Sequence, residues 1–177
     1  DVAETVILPA APAPSPPCGM ALSEDALGLL LGALASRAGP VPKYRYPSAG
    51  TLYPVQSHVV LRAPLGTLPA GTFCFDPDAH ALVPVSEDTP PAPDGSTPAV
   101  LLLLVAQRAA IAPIYGEEAA AFCLLEAGYM EAALRDAAPG LRLREAGDAA
   151  ADAALAAACR LERDHVPLVC WAVGEEG

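Results

Sequence analysis

The order of apolar runs and turn signals predicts an α+β or mixed three-layer domain, and three stretches carry that expectation. Ala99–Gln107 is a continuous apolar run rich in leucine and valine, the pattern of a strand buried on both faces. Gly71–Phe75 and Ala81–Val85 flank the turn Asp76-Pro77-Asp78 and read as a hairpin. Glu118–Ala138 is the longest helix candidate, stopped by Pro139-Gly140.

The remaining elements follow in chain order. Residues 1–21 hold five prolines, which rules out a helix and predicts an extended N-terminal arm ahead of a domain at 22–177. Ser23 is an N-cap, with Glu24 and Asp25 at the positive end of a helix that runs to about Ser36 and ends at Gly39-Pro40. Val55–Leu61 reads as a strand, and Glu87–Pro98 as a solvated loop. On the long helix, Phe122, Leu125, Tyr129, Ala132 and Ala133 fall on one face, which is expected to be the buried one. Leu141 and Leu143 suggest a short strand, Ala149–Ala158 an alanine-rich helix, and Pro167–Val173 a final buried strand.

Bulk properties narrow the function classes. A chain of 177 residues is long enough for one sizeable core, and its net charge of −11 opposes binding to a phosphate backbone, so no nucleic acid partner is expected. The longest apolar run, Ala99–Ala106, is too short to span a bilayer, and no secretory signal is visible, which points to a cytoplasmic protein. Cys18, Cys74, Cys123, Cys159 and Cys170 form no Cys-x-x-Cys pair, and the histidines have no ligand spacing, so neither a disulfide framework nor a metal is assigned. Cys123, Cys159 and Cys170 lie in apolar runs as small hydrophobes, and His58 and His80 are read as structural.

The stretch Arg45–Val60, RYPSAGTLYPVQSHVV, carries the functional signal. Pro47 and Pro54 bracket Ser48-Ala49-Gly50, whose backbone cannot be helical before a proline and whose glycine admits a flat ligand at close range. A small-residue turn running straight into a strand presents N–H groups and a hydroxyl to whatever lies above it. A plain surface turn would have the same composition.

Residues 45–84 add a pattern: Arg45, Pro47-Ser48-Ala49-Gly50, Leu52-Tyr53-Pro54, then Gly71, Phe73, Phe75-Asp76-Pro77 and His80-Ala81-Leu82. Tyr115-Gly116-Glu117 and Leu124-Leu125-Glu126-Ala127-Gly128-Tyr129 follow. In this order the chain resembles the nitroreductase-like SagB/ThcOx-type flavin dehydrogenases over about residues 22–174. The resemblance implies a three-layer sandwich with a central mixed sheet flanked by helices, and a homodimer or a heterodimer with a related chain that shares an FMN site. It implies oxidation of thiazoline or oxazoline rings in peptide or carrier-bound substrates. Arg45, Pro47, Ser48, Ala49, Gly50 and Gly147 are the implied cofactor residues, Gly147 through its neighbourhood Glu145-Ala146-Gly147, and Tyr115 is the implied catalytic one.

The departures from the family pattern are electrostatic. The family's arginine cluster before the first helix corresponds to Ser15–Met20, which holds no basic residue, the Lys-Tyr pair is Ile114-Tyr115, and the arginine after it is Glu118. An anionic phosphate then loses charge-assisted bonds, and a phenol loses the cation that would lower its pKa. Two readings stay open: FMN held with Arg37, Lys43, Arg45 or Arg108 standing in, or a flavin-poor scaffold or partner subunit in which FMN is lost and Tyr115 only packs.

Overall fold

The computed structural model describes residues 5–7, 22–37, 39, 43–138 and 140–175. Ser23 caps the first helix, α1 (Glu24–Gly32), its side chain accepting from the Ala26 N–H at 3.2 Å. The helix stops at Gly32, short of the expected Ser36, because the Ser36 N–H donates to the Pro77 carbonyl at 2.9 Å and draws the chain into an extended segment. That segment, β2 (Ser36–Arg37), pairs with β3 (Lys43–Tyr44) in a small antiparallel ribbon. Within 1–21, residues 5–7 are described and Val6–Ile7 form β1; residues 1–4 and 8–21, including Ser15–Met20, lie outside the described residues.

The main sheet has seven strands in the order β1-β6-β5-β4-β7-β9-β8, where β4 is Val55–Leu61, β5 Gly71–Asp76, β6 Ala81–Ser86, β7 Val100–Gln107, β8 Leu141–Glu145 and β9 His165–Glu175. Every described pairing is antiparallel, so the α+β layering stands while the expected mixed sheet does not. The reason lies in the connections: successive strands β4, β5 and β6 are joined by short turns, which only antiparallel neighbours allow.

The apolar run of β7 is buried on both faces, as its composition predicts. Val100, Leu102, Leu104 and Ala106 belong to the cluster under α1 and α3 (Ala119–Ala137), together with Leu27, Leu31, Met130 and Leu134. Leu101, Leu103 and Val105 belong to a second cluster with Leu155 of α4 (Ala153–Ala158), Ala146 and Cys159. Helical layers on both sides thus give an antiparallel strand the composition usual for parallel sheets.

Two helical features differ from expectation. The buried stripe of α3 is Ala119, Cys123, Glu126, Ala127, Met130 and Leu134, whereas Leu125 and Tyr129 are 57% and 50% exposed. Bulk misled the reading, because the true inner face carries small side chains and one carboxylate. A further helix, α2 (Arg108–Tyr115), had no counterpart in the sequence reading. Pro113 lies inside it, a residue that lacks an N–H and argues against a helix in any pattern count. Leu102 sits fully buried at the centre of this framework, and Leu102→Ala is expected to lower the unfolding free energy by about 2–5 kcal/mol in urea titrations.

Candidate functional site

The connection from β3 to β4 is built on tyrosines. Tyr44 and Tyr53 rings lie 4.0 Å apart between centroids, Tyr46 meets Tyr53 edge-on at 5.7 Å, and the Tyr44 N–H donates to the Tyr53 hydroxyl at 3.0 Å. These contacts fix both ends of the Pro47–Pro54 loop. Between them Ser48 is extended, and its Oγ accepts from the Tyr53 N–H at 2.9 Å. A single 3-10 turn over Ala49–Thr51 closes through Thr51 N–H to Ser48 O at 3.2 Å.

The loop is strained. Gly50, Thr51 and Tyr53 have φ of 61°, 58° and 48°, and a β-branched threonine in the left-handed region costs about 1–3 kcal/mol. The aromatic cluster and the Ser48 bond oppose that cost. The Ser48, Ala49 and Gly50 N–H groups have no partner among the described residues, while Pro47 and Gly50 are exposed. The turn therefore holds successive N–H donors without a backbone partner among the described residues.

Glu126 supports the loop from inside. It is 2% exposed, and its Oε1 accepts from the Val55 N–H, the first of β4, at 3.1 Å. Glu126 Oε2 is left without a hydrogen-bond partner. Burial pushes the Glu126 carboxyl up to about 7, with the Ser48 and Val55 groups pulling against it. Burial, and secondarily the Glu126 charge, raises the Tyr46 phenol. The sequence reading quoted Glu126 in a motif without giving it a role. The available signal was a lone carboxylate in register with Cys123, Met130 and Leu134.

The structure brings Tyr115 to this loop. A Cβ built on Gly50 would lie 2.9 Å from the Tyr115 hydroxyl, so a larger residue there would have to displace that side chain, and the φ of 61° itself favours glycine. Tyr115 ends α2, its ring 4.6 Å from that of Phe122, and the adjoining Ile114 is 66% exposed. Arg45 is exposed at the start of the loop. Nearby, Arg37 and Lys43 stand directly opposite each other in the β2–β3 ribbon, a like-charge pairing that disfavours the ribbon unless an anion lies between them. Gly147 is not part of this constellation. It follows β8, three strands from β4, with φ 93° and a built Cβ 2.9 Å from the Asp94 N.

A cleft of about 110 Å³ lies beside the loop, lined by Leu34, Tyr44, Tyr46, Tyr53 and Pro77 among others. It has room for a few waters and none for a three-ring cofactor. Arg37, Lys43 and Arg45, close to this loop in sequence, are exposed. Cys159 and Cys170 belong to the second core cluster, where burial pushes both thiols up to about 12, and burial, then the nearby His165, pushes the His58 imidazole down to about 4. Among the described residues no group of three or more His, Cys, Asp or Glu could hold a metal, and no helix is long and apolar enough to cross a membrane.

Two outcomes follow. Gly50→Ala is expected to cost about 1–2 kcal/mol from its positive φ plus the clash with Tyr115, and part of the loss returns in the Tyr115→Phe background, as a denaturation double-mutant cycle would read. Because the folded state raises the Glu126 pKa from 4.5 to about 7, the native chain holds a proton that the unfolded chain releases. That contribution to stability is full below about pH 4.5 and is lost as pH rises through 7; Glu126→Gln is expected to flatten the stability profile across this window in denaturant titrations.

No family model matches the chain. It is 36% identical over 114 residues to an indigoidine synthase of Dickeya dadantii (strain 3937), a match covering 62% of this chain and 7% of that protein, so the chain spans a small part of its relative's length. A candidate nitroreductase from Ralstonia eutropha JMP134 superposes with a TM-score of 0.75 at 19% identity, covering 98% of this chain and 90% of the other. A chain of the E. coli microcin synthetase McbBCD complex, solved with truncated pro-MccB17 bound, gives 0.73 at 22% identity, with 89% and 65% covered. A candidate nitroreductase from Anabaena variabilis ATCC 29413 gives 0.73 at 19% identity, with 86% and 35% covered. The chain has the fold of the nitroreductases.

Proposed function

We propose that this chain is an FMN-dependent oxidoreductase domain of the azoline dehydrogenase kind, acting on thiazoline or oxazoline rings of a peptide or carrier-bound intermediate in natural-product biosynthesis. The observation that carries the reading is the approach of the Tyr115 hydroxyl to Gly50 at the outer side of a strained turn with unpaired N–H donors. Flavin, when bound, supplies a two-electron acceptor for the hydride of the ring being aromatised, with oxygen as the final oxidant. The chain's own residues then bind and orient. Ser48 and the Ser48–Gly50 amides meet the ring's polar edge, Arg45 with Lys43 and Arg37 meets the phosphate, and Tyr115 stands where a proton leaving the substrate can be taken up. Ala49 and Pro47 supply apolar contact to the ring face. Gly147 enters the site only through a rearrangement or a second subunit, since its present neighbours are Pro93 and Asp94.

The reading includes a homodimer, or a heterodimer with a related chain, in the cytoplasm. Ile114, Leu124, Leu125 and Tyr129 are exposed apolar side chains of α2 and α3, and Leu52 of the loop joins them. A second reading is a flavin-poor scaffold or partner subunit. It is favoured by Ile114, which stands exposed beside Tyr115 where a catalytic pair would carry an ammonium.

Purified protein is expected to be yellow, or to take up added FMN stoichiometrically, with Arg45→Ala weakening uptake about tenfold if it holds the phosphate. Colourless protein that takes up no FMN overturns the oxidoreductase reading. Flavin recovered only after mixing with a related chain supports the partner-subunit reading instead.

A further inference from the structure

The tyrosine-lined cleft beside the Pro47–Pro54 loop holds two hydroxyls that the fold leaves unused. Tyr46 and Ser57 line it and are only 5% and 4% exposed, and neither hydroxyl has a hydrogen-bond partner among the described residues. Neither oxygen is sealed off, so the little exposure each residue keeps is its contact with the cleft. The Tyr53 hydroxyl, by contrast, is engaged by the Tyr44 N–H at 3.0 Å. Leu34, Val55, Phe75 and Pro77 make the rest of the wall largely apolar. A volume of about 110 Å³ takes a few waters or a ligand of about four to six heavy atoms. Hydroxyls withdrawn from bulk water without a protein partner are costly, and two of them around one cavity mark it as a place where something polar is held.

We propose that this cleft binds a small primary amine in its ammonium form, the Tyr46 and Ser57 hydroxyls accepting from the ammonium hydrogens. Hydroxyls alone select no charge, since each can donate or accept, but the groups around them do. Pro77 of the wall stands between Asp76 and Asp78 in the chain, and Val55 of the wall donates its N–H to the Glu126 carboxyl at 3.1 Å. None of these three carboxylates is in an ion pair among the described residues. Their field reaches the lining: burial, then Asp78, Asp76 and Glu126, raises the Tyr44 phenol, and burial, then Glu126, raises that of Tyr46. Lys43 and Arg45 of the same segment are exposed and act on neither phenol. The Tyr44, Tyr46 and Tyr53 rings, with centroids 4.0 to 5.8 Å apart, add electron-rich surface that attracts a cation. The wall offers hydroxyls and no cluster of metal-ligating side chains, so the cation is an organic one. A chain of two or three carbons has Leu34 and Phe75 to lie against.

This inference does not rest on the flavin reading and is tested without any cofactor. The probe is ethylammonium chloride, with ethanol as its uncharged counterpart of similar size and potassium chloride as the ionic-strength control. Backbone amide shifts are followed at about pH 8, where the amine is still protonated. Ethylammonium is expected to bind saturably and to move the Tyr46, Ser57 and Phe75 amides, ethanol to bind about tenfold more weakly, and potassium chloride to leave those amides in place. Tyr46→Phe, which keeps the ring, and Ser57→Ala are each expected to weaken ethylammonium binding roughly tenfold. Glu126→Gln is expected to weaken ethylammonium by a smaller factor and to leave ethanol unchanged. Ethanol binding as tightly as ethylammonium, or potassium chloride producing the same shifts, overturns the ammonium assignment. No saturable binding, shifts confined to exposed carboxylates such as Glu117 and Asp136, or equal affinity in the wild type and both hydroxyl variants overturns the cleft as the site. Should a hydroxyl variant fail to fold, the ratio of ethylammonium to ethanol affinity in the wild type and the place of the shifts decide.

Discussion

The Glu126 carboxyl accepting from the Val55 N–H is the contact on which the site depends. It joins the inner face of α3 to the first residue of β4, the point where the loop becomes sheet. Everything above that point is fixed in register by β4's seven pairings to β7, from Val55↔Ala106 to Leu61↔Val100. A helix and a strand far apart in sequence thereby hold one short turn at a defined height over the core. Removing a carboxylate from water is costly, and the folded chain offsets that cost by binding a proton more tightly instead of by pairing the charge with a cation.

That arrangement explains how a strained loop persists. Three left-handed residues within Gly50–Tyr53 are tolerated because the tyrosine stack, the Ser48 Oγ bond and the Glu126 tie over-determine the backbone. On the outer side Tyr115 closes the approach to Gly50, and beyond it the apolar residues of α2 and α3 face solvent.

Much of this was legible in the sequence, for physical reasons that can be named. β4, the β5–β6 hairpin and β7 announced themselves through turn chemistry and unbroken apolar runs, and Ser23 through the capping preference of its side chain. The Ser48–Gly50 turn and Tyr115 were singled out from separate stretches, and the fold places them in contact. Three things were not legible. α2 was hidden by Pro113, which a helix tolerates here in its last turns. The orientation of α3 was hidden because alanine, cysteine and methionine form a buried stripe that ranks below Leu125 and Tyr129 on bulk. Glu126 was hidden for the same reason, since a carboxylate marks the outside of a helix unless its partner, 71 residues away in sequence, is already known.

The central claim is that the outer side of the Pro47–Pro54 turn is a binding surface for a flat, polar-edged ring. Its most direct test is a titration of the chain with FMN followed by backbone amide shifts. The account predicts the largest changes at the Ser48, Ala49 and Gly50 N–H groups, with Tyr53 and Val55 following through their bonds to Ser48 and Glu126. Saturable binding that leaves those three amides unmoved and perturbs the opposite layer around Gly147 and Asp94 would contradict it.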